Sequence, residues 1–159
     1  MNSSYAISER TLRLAHDFLQ ESRTDLERAM AEGSDLPPRI RIVNERRGHA
    51  SPEYRTLAVP IPEGAEGGSP TVLSSAIAGY ARTRAPQCLL LVLDVVGTSD
   101  TGQPQPMLIA EARDRSGNRF YLVQPFSVRG GRVKWEEPIE GGWRDPGEEE
   151  MILDAAFAG

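Results

Sequence analysis

Apolar residues recur at helical spacing from early in the chain. Leu12, Ala15, Leu19, Leu26 and Met30 follow a three-to-four-residue period, and Leu14, Phe18 and Ala29 widen the stripe. Ser8 offers an N-cap, Glu9 places an acid at the positive end of the helix, and Gly33 supplies the stop. Glu9/Arg13 and Arg13/Asp17 form i,i+4 pairs on the outer side. The pattern predicts a helix over 8–32.

After the stiff Leu36-Pro37-Pro38 connector the period changes to two. Residues 39–43 and 54–59 alternate as half-buried strands, separated by a polar loop over 44–53. Pro60, Pro62 and the glycines at 64, 67 and 68 form a second loop. Ser69-Pro70 then combines an N-cap with proline at the first helical position. Val72, Leu73, Ala76, Ile77, Tyr80 and Ala81 make the apolar face of a helix that Pro86 stops. Strands follow at 88–96, 107–114, 119–129 and 132–137. Gly117 suits the left-handed position of the turn after Asp114. Gly130-Gly131 suits a two-residue turn that sets Val128 opposite Val133 and Phe126 opposite Trp135. Pro125, which has no N–H to donate, predicts a bulge or bend. Asp145-Pro146-Gly147-Glu148 reads as the start of a short helix running through Met151, Ile152, Ala155 and Ala156.

These elements define one α+β domain over residues 1–159. It has an antiparallel sheet ending in a four-stranded meander, packed by an N-terminal helix and a central helix, with a short C-terminal helix. The order of elements and the break at Pro125 resemble the cone-shaped folds of the nuclear-transport-factor-2 type. The two strands ahead of the central helix resemble a profilin- or roadblock-like sandwich. No sequence motif accompanies either likeness.

Alternation along the meander assigns Leu89, Leu91, Leu93 and Val95 to one face with Leu108, Ala110, Ala112, Phe120, Leu122, Phe126, Val128, Val133 and Trp135. The other face carries Leu90, Val92, Val96, Met107, Ile109, Tyr121 and Val123, so it is apolar too and requires a cover. Burying each large side chain is worth about 1.5–3 kcal/mol. The covers open to it are the C-terminal helix, a second copy of the chain, another protein, or a ligand in a curved sheet.

Composition narrows the function classes. Of 159 residues 39% are hydrophobic, no apolar run spans a bilayer, and Asp94 interrupts the longest, over 88–96. The N-terminus lacks the order of a signal peptide, and a single cysteine leaves no disulfide framework or cysteine-rich zinc module. These features point to the cytoplasm and away from a membrane. The net charge of −5 is local: residues 136–159 hold eight acids against Arg144. Seventeen of the 18 basic residues are arginine, which fits codon usage in a GC-rich, bacterial genome. The best basic cluster, Arg39, Arg41, Arg46, Arg47 and Arg55, is too modest for a nucleic-acid footprint.

The familiar catalytic motifs fail one by one. Asp100-Thr101-Gly102 spells the aspartic-protease triplet but has no twin and lies in a loop. There is no phosphate-binding loop, no G-x-S-x-G elbow for Ser51 and His49, and no metal spacing for His16 and His49. Cys88, opening an apolar strand, reads as a buried structural thiol. No catalytic set, metal or cofactor is therefore expected. The candidate pocket is Asp94, Glu111, Arg113, Arg119 and Tyr121, which alternation assigns to the second face: two carboxylates beside a phenol and two guanidinium groups. Trp143 and Arg144, between Gly141-Gly142 and Pro146-Gly147, are a candidate partner contact, with Trp143 plugging the core edge as the competing reading. The expectation is a small non-catalytic interaction or regulatory protein that self-associates as a dimer through the second face. The alternative is a small-molecule-binding or lyase-like domain with its pocket at Asp94, Glu111 and Tyr121.

Overall fold

The computed structural model describes residues 3–45, 48, 52–59 and 69–158. Helix α1 (Ser3–Ala31) precedes strands β1 (Arg39–Asn44) and β2 (Glu53–Ala58). Helix α2 (Pro70–Ala81) leads into β3 (Cys88–Thr98), β4 (Pro104–Asp114), β5 (Arg119–Arg129) and β6 (Arg132–Trp135). A 3-10 turn at Ile139–Gly141 and a 3-10 helix at Ile152–Phe157 complete the chain. The protein is α+β, and its strands form one antiparallel six-stranded sheet in the order β2-β1-β3-β4-β5-β6. None of the described helices is long and apolar enough to cross a membrane.

Turn chemistry places most of these elements. Ser69 caps α2 by accepting from the Val72 N–H, with Pro70 at the first helical position. Gly117 takes φ +95 in the β4–β5 turn, whose Asp114 carboxylate accepts from the Asn118 backbone and side chain at 3.0 and 2.8 Å. Gly130 and Gly131 both hold positive φ, and the pairs Phe126↔Trp135 and Val128↔Val133 form as the two-residue turn requires.

Four sequence-based expectations need correction. First, α1 begins at Ser3, so Ser8 lies inside the helix; residues 3–7 contain no glycine or proline to stop it. Second, β3 and β4 run further toward each other than hydrophobicity implies, and only Ser99–Gln103 remains as their hairpin loop. Pro104 and Pro106 are accommodated in β4, and the Ser99 N–H closes the loop on the Gln103 carbonyl at 2.8 Å. Third, of the bulge or bend expected at Pro125 the bulge is absent, since neither flanking ladder skips a residue. Instead β5 changes partner there, pairing with β4 up to Pro125 and with β6 from Phe126 onward. Fourth, the C-terminal helix does not start at Asp145. Asp145 accepts from the Gly147 N–H in a local turn, Gly147 takes φ +64, and regular winding begins only at Ile152, as a 3-10 helix.

The register also reverses one assignment of faces. In the β3–β4 ladder Leu90 faces Ala112 and Val92 faces Ala110. Directly opposed residues share a face, so Leu90 and Val92, with Cys88, belong with Leu108, Ala110, Ala112, Leu122 and Phe126. That set packs under Ala15, Phe18, Leu19 and Leu26 of α1. Leu89, Leu91 and Leu93 share the other face with Ile40, Ile42 and Ile109, under Leu73, Ile77 and Ala81 of α2 and Leu153 of the C-terminal 3-10 helix. β3 is therefore covered on both sides, which is why Cys88–Leu93 reads as an unbroken apolar run. The second face finds most of its cover within the chain; Met107, Val123 and Pro125 stay half-buried at its far end.

Candidate functional site

Four of the five candidate pocket residues share the α2 face. Glu111 stands directly opposite Tyr121 across the β4–β5 ladder, and Arg113 stands opposite Arg119. Two guanidinium groups facing each other need an anion between them, since like charges opposed on a sheet are destabilising. Asp154 of the 3-10 helix supplies it. Its carboxylate accepts from Arg113 at 2.6 Å and from Arg119 in a two-pronged contact at 3.0 and 2.7 Å. Arg119 reaches further, to the carbonyls of Gly147 at 2.8 Å and Glu149 at 2.5 Å.

Glu111 is 8% exposed and accepts from the backbone N–H groups of Ile152 and Leu153 at 3.2 and 3.0 Å. It thus satisfies two donors at the start of the 3-10 helix that would otherwise be orphaned beneath it. Burial pushes the Glu111 carboxyl up from its usual range, aided by Asp154 and opposed by the two N–H donors and Arg119. At Asp154 burial also pushes upward, but hydrogen bonds from Arg119, the Met151 N–H and Arg113 together hold the carboxyl below its usual range. The Asp154 carboxylate in turn raises Arg119. This constellation clamps the segment 147–157 onto the sheet.

Asp94 is not part of it. The pairing Asp94↔Leu108 puts Asp94 on the α1 face, where burial and the neighbouring Asp35 charge raise its carboxyl. The two candidate carboxylates therefore lie on opposite sides of the sheet. Tyr121 meets Arg144 twice: backbone bonds of 2.9 Å in both directions close a β-bridge, and the Arg144 guanidinium sits 4.3 Å from the centre of the Tyr121 ring. The bridge occupies the outer edge of β5 beyond the short β6. Arg144 also pairs with Glu140. Trp143, pointing the opposite way, packs half-buried against the α1 core. Its indole nitrogen is buried and, among the described residues, without a hydrogen-bond partner.

The remaining candidates are scattered. His16 is exposed beside Gln20, while His49, Ser51, Arg46 and Arg47 lie outside the described residues. Asp100-Thr101-Gly102 is the tip of the β3–β4 hairpin, with Gly102 at φ +80. The Cys88 thiol is buried and pushed up to about 12 by desolvation and the nearby Asp114. Arg39 and Arg41 fold inward: Arg39 pairs with Asp25, and Arg41 pairs with Glu21, donates to Thr56 at 2.7 Å and lies between the Phe18 and Tyr54 rings. Among the described residues no cluster of His, Cys, Asp and Glu could hold a metal ion.

Asp154 is the participant that sequence reasoning missed. Arginines on one face signal that an acid is needed, but the segment 136–159 offers eight and nothing in the sequence selects among them. Fold and site together define an α+β sheet protein in which Glu111, Arg113, Arg119 and Asp154 fasten the segment 147–157 to the sheet. Compared with known proteins, the chain matches no protein family, no curated protein and no solved structure.

Proposed function

We propose that this chain is a small non-catalytic interaction or regulatory protein, cytoplasmic in setting, that acts by docking other polypeptide at the edge of its sheet. The observation that carries the reading is the contrast between the sheet's faces and its β2 edge. Most of both faces is covered by α1, α2 and the 3-10 helix, and Glu111, Arg113 and Arg119 on the α2 face are occupied in the clamp. No described element pairs with the outer side of β2. Tyr54 stands 52% exposed on this strand beside an open cleft of about 240 Å³, and a cleft of about 430 Å³ lies at the other end of the strand, by Thr56, Leu57 and Ala58. An extended peptide adding to such an edge gains main-chain hydrogen bonds and sets alternate side chains into flanking clefts.

The alternative, a ligand held by Glu111 and Tyr121, has to displace Ile152 and Leu153 from the carboxylate and the Arg144 guanidinium from the ring. Asp94 cannot join it from the other face. Selection from a displayed peptide library, run beside a thermal-shift screen of small metabolites, separates the two readings. The interaction reading expects extended peptides that bind the wild type and are lost when Ala58→Pro removes an edge N–H. A metabolite that raises the Tm of the wild type but not of Glu111→Gln, with no peptide retained, overturns it.

A further inference from the structure

Backbone hydrogen bonds fix which groups of β2 look outward. The Val59 N–H donates to the Pro38 carbonyl at 2.9 Å, so odd-numbered residues of β2 turn their polar groups toward β1. The Gln87 N–H donates to the Val43 carbonyl on the other side of β1, which agrees with that alternation. Tyr54, Thr56 and Ala58 consequently aim their N–H and C=O groups away from the sheet.

The same three residues share the α1 face, and they carry a projection and a recess four positions apart. Tyr54 is the projection, its ring held against the Arg41 guanidinium at 4.3 Å. The recess is the cleft of about 430 Å³ bordered by Ala58 with Ala29, Leu36 and Pro37, and rimmed by Asp25 and Arg28. α1 covers β3, β4 and β6 and leaves this corner of the sheet open.

We infer that the occupant of the edge is a second copy of this chain, with two β2 strands pairing antiparallel about a two-fold axis at Thr56. Such an axis is self-complementary: whatever one copy offers at a position, the other receives there. It places Thr56 opposite Thr56, and Tyr54 of each copy opposite Ala58 of the other, beside the recess. All three outward positions fall into hydrogen-bonded pairs, giving six intermolecular main-chain bonds. Arg55 faces Leu57 across the seam, where its aliphatic stem covers the leucine.

Neighbouring registers are poorer. An axis at Leu57 leaves Tyr54 out of the ladder of described residues and keeps only the two Thr56–Ala58 pairs, four bonds in place of six. An axis at Arg55 sets two arginines directly opposite each other. One at Tyr54 brings Pro52, which has no N–H, into the ladder. The expected product is a continuous twelve-stranded sheet with a modest interface, suited to association on the order of micromolar.

This inference rests on the proposed interaction role and specifies its partner. Sedimentation velocity from about 1 to 300 μM tests it, a span that brackets micromolar dissociation. The wild type should move from monomer to dimer as concentration rises. Ala58→Pro removes an outward N–H without touching a bond to β1, and Tyr54→Ser removes the projection; both should stay monomeric with unchanged far-UV circular dichroism. A wild type monomeric throughout, or a dimer persisting in either folded variant, overturns the inference. Should Ala58→Pro fail to fold, Tyr54→Ser decides alone. A monomeric chain that still retains displayed peptides through Ala58 loses only the second copy as partner, whereas loss of both binding events removes the interaction reading as well.

Discussion

Asp154 shows how much one carboxylate can hold. It neutralises two arginines that the β4–β5 register forces to face each other and also accepts from the Met151 N–H. Its partners are about four-fifths buried, so screening by water is limited. Asp154→Asn should therefore cost about 2–3 kcal/mol of stability in urea unfolding, the range for losing charged hydrogen bonds with a like-charge pair left behind. Glu149→Gln, in the same segment with an exposed side chain, should stay within about 0.5 kcal/mol of wild type. The folded pKa of Asp154 lies below its unfolded value, so its contribution is present above about pH 4 and is lost as pH falls through the folded value. The difference between wild type and Asp154→Asn should shrink accordingly in acid. Glu111 has the opposite sign: its raised folded pKa favours the fold below about pH 4.3, and that gain is lost as pH rises through the folded value.

Among elements, the hairpins were the most legible in sequence, because their turns depend on local chemistry. Gly130 and Gly131 carry φ of +57 and +77, values that residues with a Cβ adopt only at a cost. Replacing the pair by Asn-Gly should leave stability nearly unchanged, whereas Ala-Ala should cost about 2–4 kcal/mol, read from urea midpoints. What the sequence concealed was the relation between β3 and β4. Hydrophobicity stops at Val96 and resumes at Met107, while the ladder continues through Gly97↔Gln105 to Thr98↔Pro104. Because strand side chains alternate with period two, parity across an unseen loop is a coin toss; the wrong choice exchanged the environments of Leu90 and Leu91 and carried Asp94 to the wrong side. The 3-10 helix was hidden for a related reason. Its place depends on Glu111 and the two arginines, none of them nearby in sequence, and its anchor Leu153 is fully buried against α2 and β3. Leu153→Ala should cost about 2–5 kcal/mol in the same assay.

At the scale of the whole molecule, the chain solves the problem of a sheet apolar on both sides by wrapping it in its own helices. An outside cover for the second face is then unnecessary over β1 and β3, and attention moves to the rim. The two rims are β2 and the four-residue β6, and neither has a described partner strand on its outer side. Beyond β6, the exposed stretch of β5 is occupied by Arg144, and Trp143 seals the corner beside it. At β2 the outward polar groups of Tyr54, Thr56 and Ala58 have no described partner strand, and an unprotected edge of this kind is where sheets join.

The position of β1 carries a consequence for the time order of folding. The meander from β3 to β6 forms through neighbours joined by loops of two to five residues, whereas Arg39 must find Val92 across half a hundred positions of chain. Closing so long a loop is slow relative to zipping hairpins, so β1 and the strand it supports should dock last and open first. The docking rim would then be the segment whose amides exchange soonest with solvent, so that occupancy by a neighbour would itself finish the assembly.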